Sequence, residues 1–132
     1  MAALAWACSG TPVQLPTFDR AEVAARGRED YLRSCAPCHG ADGRGGARGP
    51  DLTHLSATMG SRFSHQYVVD VITGARDVAA HGPREMPVWD DRFGSVDSGA
   101  EAAASLWMQR RLDALATQVE ALQVGVAPSD QR

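Results

Sequence analysis

Two thiols and an imidazole stand together at Cys35-Ala36-Pro37-Cys38-His39. The two intervening residues place both cysteines on one turn, within reach of two vinyl groups along a single porphyrin edge. The next side chain, His39, then points at the metal in the centre of that ring. The chemistry this spacing suits is covalent attachment of one haem c through Cys35 and Cys38, with His39 as an axial ligand. A structural zinc site would need two further ligands at paired spacing. The remaining cysteine is Cys8, far off in an apolar stretch. A thioredoxin-like redox pair would follow a strand, whereas the residues before Cys35 carry a helical pattern.

A haem held by His39 has one more axial position. Met59, Met86, Met108, His54, His65 and His81 are the residues able to fill it. Met108 falls on the apolar stripe of a helix, where methionine more often packs than ligates. Met59 follows His39 too closely to come round the ring easily, and His65 sits in the first turn of a helix. Met86 lies in a long irregular segment and precedes Pro87, which stiffens the backbone and removes a donor beside the iron. Met86 is therefore the favoured ligand, with His81 in the same segment as its rival.

The elements that must position these groups can be read around them. Asp19 with Glu22 three places on marks a helix start, and the helix should run from Asp19 to about Ser34. Val23, Gly27, Tyr31 and Ser34 share one stripe of it. Gly27 in mid-helix costs about 1 kcal/mol relative to alanine, so a close crossing by another helix is expected there. Residues 40–50 are glycine-rich loop, suited to lying against a flat ligand. Ser64 should cap a second helix that ends at Gly74, with Val68, Val71 and Ile72 as its apolar face. Its β-branched content keeps a short strand as the alternative. A loop over 74–97 and a capping box at Ser98 and Glu101 lead to a last helix, from about Gly99 to Val124, with Gly125 as its stop. Met108, Leu112, Leu115, Val119 and Leu122 form its stripe.

Composition sets the outer limits. At 132 residues and 44% hydrophobic content, the chain is one domain with a small core. A haem would add a large rigid apolar body to it. A net charge of −3 implies no nucleic-acid partner. All thirteen basic residues are arginine, so no docking surface here is a ring of lysines.

Taken in order, Gly27-x-x-x-Tyr31-x-x-x-Cys35-x-x-Cys38-His39-Gly40, then Gly49-Pro50-Asp51-Leu52, then Met86-Pro87-x-Trp89, then an amphipathic terminal helix resembles a bacterial class I c-type cytochrome, mono-haem and His/Met ligated. The resemblance covers residues 18–124, the expected domain, flanked by residues 1–17 and a tail, 125–132. It implies an all-α fold of three to four helices wrapped around one covalent haem, the first and last crossing near Gly27. It implies that the Pro50 carbonyl accepts the Nδ1 proton of His39. It implies that Met86 completes a six-coordinate iron of raised potential, and that Trp89 packs near a haem propionate. The family often has glycine after this tryptophan; this chain has Asp90.

Six-coordinate iron has no open site for substrate, so the implied function is one-electron transfer, not bond chemistry. The chain would be a shuttle between redox proteins or a subunit of a periplasm-facing respiratory or dehydrogenase complex. The alternative is a haem enzyme or sensor, which needs an open distal site. The stretch Met1 to Gly10 resembles the end of a secretory signal but lacks a basic region, which places the true start upstream. Ala5-Trp6-Ala7-Cys8 loosely resembles a lipobox. Lipidation at Cys8 would tether the domain to a membrane through a linker at 9–17; without it the domain would be a soluble periplasmic carrier.

Overall fold

The structure, a computed structural model, describes residues 19–76 and 101–125, with side chains from residue 105 onward in the last helix. The described residues form helices and loops, without a strand. Three longer helices carry the architecture: α1 (Arg20–Ser34), α4 (His65–Ile72) and α5 (Glu101–Ala121). Two single turns, α2 (Ala36–His39) and α3 (Leu55–Thr58), lie between the first two.

α1 begins where the sequence places it. Asp19 is extended, and its side chain accepts the amide of Ala21, satisfying one of the unpaired N–H groups at the helix start. Gly27 and Tyr31 of the expected stripe are buried, while Val23 and Ser34 are half-buried. The crossing with α5 falls at Gly27. A Cβ built there would lie 2.1 Å from the carbonyl oxygen of Ala114. Only a hydrogen fits between the two backbones, which accounts for a glycine in mid-helix.

α4 is a helix, not a strand. Ser64 caps it by accepting the amide of Tyr67. Val68 and Ile72 enter the core and Val71 does so only in part. α5 supplies the floor of the molecule: Leu112, Leu115 and Val119 are buried, with Met108 and Leu122 packed at their edge. Together with Tyr31, Val68 and Ile72 these side chains make one cluster. Each large apolar side chain fully buried here contributes about 1.5–3 kcal/mol.

α5 ends at Ala121, short of the expected Val124. Leu122 and Gln123 donate to Val119 and Glu120, tightening the last turn. Val124 then leaves the helix by donating to the Thr53 carbonyl at 2.9 Å. Gln123 holds the same strip, its amide nitrogen donating to Leu52 O at 2.7 Å and its oxygen accepting from Ser56 N at 2.9 Å. The end of α5 thus anchors the segment that follows the loop at 40–50. At the other end of α3, His65 Nε2 lies 2.7 Å from Glu120 Oε2 and ties the start of α4 to α5.

Candidate haem site

Cys35, Cys38 and His39 stand on a single turn of backbone. Cys35 ends α1, its amide donating to Tyr31 O at 2.8 Å, and the same residue starts α2. Pro37 lies in the first turn of α2, where its missing N–H is no loss. Cys38 and His39 both donate their amides to Cys35 O, at 3.1 and 2.9 Å. Cys35 is half-buried and Cys38 exposed. His39 is 6% exposed, an imidazole withdrawn from water.

The loop after it is folded back onto the turn. Gly45 donates to His39 O at 2.8 Å, and Leu52 to Gly43 O at 2.7 Å. Nδ1 of His39 lies 2.9 Å from the carbonyl oxygen of Pro50. Donation to that carbonyl would fix the tautomer and the ring plane and would direct any metal coordination to Nε2. The approach depends on Gly49. A Cβ there would sit 2.8 Å from Cys38 O and 3.0 Å from His39 Nδ1. Any side chain would push Pro50 off the imidazole.

Tyr31 fastens the loop to α1. It is fully buried, and its hydroxyl donates to Gly40 O at 2.8 Å. Burial first, then the nearby charges of Cys35 and Asp42, push its hydroxyl up to about 12, so it remains a donor at neutral pH. Burial likewise pushes the Cys35 thiol up to about 11, with Asp30 and Cys38 adding to it. The unreacted thiol is therefore protonated at neutral pH and weakly nucleophilic.

Asp30 and Arg111 form a buried ion pair beside the turn that sequence reasoning missed. The Asp30 carboxylate is nearly buried one turn before Cys35. Arg111 of α5 grips both its oxygens, at 2.7 and 2.8 Å. Such a fork satisfies a buried carboxylate in a way lysine cannot. The two residues lie 81 positions apart, and no local pattern links them.

The described residues fit a covalently held haem. The turn presents two thiols and an oriented imidazole, and glycine backbone lies against the imidazole. No cluster of three or more His, Cys, Asp or Glu side chains suited to a metal ion occurs among the described residues. Of the other axial candidates, His54 Nδ1 is engaged with Thr53 and Asp51. His65 faces Glu120. Met108 packs against the core as expected, and Met59 caps the C-terminus of α3. Met86, Trp89 and His81 lie outside the described residues, as do Cys8 and Ser98.

A family profile described as cytochrome c oxidase, cbb3-type, subunit III matches residues 22–105, more than half of the chain. No curated protein and no solved structure gives a significant match. The matched span contains the thiol–imidazole turn, the folded-back loop and the start of α5. The chain therefore belongs to this family of c-type, haem-binding cytochromes and is an electron-transfer domain, not itself an enzyme.

Proposed function

We propose that this chain carries its haem on thioether bonds from Cys35 and Cys38, with His39 as proximal ligand through Nε2 and the Pro50 carbonyl as the acceptor that orients it. Met86 is the sixth ligand and Trp89 packs beside a propionate. Bound haem supplies a one-electron Fe(II)/Fe(III) couple, and the protein's part is to hold it, set its potential and limit access to the iron. The observation that carries this reading is the buried His39, with Nδ1 2.9 Å from Pro50 O on the same turn as both thiols. A hydrogen-bonded imidazole is more basic, and a thioether opposite it favours Fe(II) and raises the potential.

The domain faces the periplasm, where haem attachment of this type takes place in bacteria. There it exchanges electrons with redox proteins, either as a free carrier or as a subunit of a larger complex. A lipid on Cys8 would restrict those partners to a membrane surface. No helix among the described residues is long and apolar enough to cross a membrane.

Carbon monoxide tests the ligand assignment. The reduced wild-type protein should ignore it, and its ferric form should show a weak far-red sulfur-to-iron band. Met86→Ala should keep the haem attached, lose that band, lower the potential and bind carbon monoxide. Immediate binding by the wild type would instead support an open distal site and the enzyme or sensor reading.

A further inference from the structure

The α1–α5 crossing leaves a groove on the flank formed by the first two turns of α1 and the facing part of α5. It has a volume of about 620 Å³ and is lined by the apolar Val23, Leu106, Trp107 and Ala114 together with charged side chains of both signs, Glu22 and Arg26 from α1 among them. Leu106 is 47% and Trp107 45% exposed, two of the largest apolar side chains left in water by the described residues. The Arg111 guanidinium stands 5.1 Å over the indole and covers only one of its faces. Adjacent exposed apolar side chains set in a groove are the kind of patch that marks an interaction site.

We propose that the occupant is the chain's own approach to α1, residues 13–18. Three observations converge on it. The first is position. Asp19 is the cap of α1, and the groove begins at Glu22 and Val23, one turn along. The second is capping. With Asp19 as the N-cap, Phe18 holds the position before the cap and Val23 the fourth helical position. An apolar pair at those two places packs together and fixes the angle at which a chain enters a helix. That pairing would bring Phe18 onto Val23, a residue that lines the groove. The third is composition. Residues 1–18 contain no charged side chain, and the last six carry Val13, Leu15, Pro16 and Phe18. Pro16 limits the conformations lost on docking, and the side chains match the apolar part of the lining.

The consequence is that residues 13–18 are a strap, not a free linker. Whatever precedes them, a lipid or another segment, would then be held in a set orientation to the haem domain.

Hydroxyl-radical footprinting of the full-length holoprotein, read residue by residue by mass spectrometry, tests this. Leu15→Ser combined with Phe18→Ser should raise labelling of Trp107 several-fold, with the haem spectrum unchanged. Reciprocally, Trp107→Ala should raise labelling of Phe18. Unchanged labelling in either experiment overturns the proposal. So does Trp107 labelling that falls with protein concentration but ignores the double substitution, since the groove would then seat a second copy. A mature chain that begins after Leu15 overturns it as well.

Discussion

Gly27→Ala should destabilise the protein, although alanine is the better helix former. In an open helix the substitution would contribute about 1 kcal/mol of stability. Here the new Cβ would lie 2.1 Å from the Ala114 carbonyl oxygen and 2.7 Å from its carbon, both backbone atoms that cannot rotate aside. Ordinary contact begins near 3.4 Å, so α5 must retreat by more than an ångström. Leu112 and Leu115, which flank Ala114, would lift from Tyr31 and Val68 in the same movement. Overpacking of this kind costs about 1–3 kcal/mol, and backbone against backbone belongs at the upper end. The net loss is then about 1–2 kcal/mol, a fall in melting temperature of roughly 4 °C for each kcal/mol in a domain of this size. Denaturant unfolding of the holoprotein measures it. Ala25→Gly, at an exposed position of the same helix, supplies the control and should lose about 1 kcal/mol by propensity alone. A Gly27→Ala protein as stable as wild type would refute the close crossing.

Three further outcomes follow from the packing. Arg111→Met leaves the Asp30 carboxylate buried without its partner and should cost about 3–5 kcal/mol by denaturation, while the double variant with Asp30→Leu should lose less than the sum of the two single changes. Tyr31 is held neutral by burial, so unfolding releases its proton. The wild type should lose stability as pH rises from the ordinary value of 10.0 towards about 12, and Tyr31→Phe, lacking that proton, should show a shallower alkaline fall in denaturation midpoint. Ser56 Oγ is buried without a hydrogen-bond partner; Ser56→Ala should leave stability unchanged or raise it by about 1 kcal/mol, as judged by thermal melts.

How far the sequence reveals this molecule depends on the reach of each signal. The start of α1, the stripe Leu112, Leu115 and Val119, and the close approach at Gly27 are written in local spacing, and all three are found in the structure. The attachment turn is equally local, being five consecutive residues. α3 was not foreseen: Leu55–Thr58 is a single turn with no periodicity to detect. α5 ends earlier than its local pattern suggests because the Gln123 side-chain amide and the Val124 N–H donate to the carbonyls of Leu52 and Thr53, residues some 70 positions upstream. The Asp30–Arg111 fork has the same origin. Gly49 stands out in the sequence as part of a glycine-rich run and of the Gly49-Pro50-Asp51-Leu52 segment, but its contact with His39 depends on how that loop folds back.

The central claim is that Cys35 and Cys38 each form a covalent bond to one haem. Intact-mass measurement of the denatured holoprotein, followed by thiol alkylation, tests it most directly. The account predicts a chain heavier by one haem that resists acid extraction, with neither Cys35 nor Cys38 open to the alkylating reagent. Replacing either cysteine by alanine should remove one thioether and shift the pyridine-haemochrome band to the red. A haem that extracts into organic solvent and leaves both thiols alkylated would contradict the account.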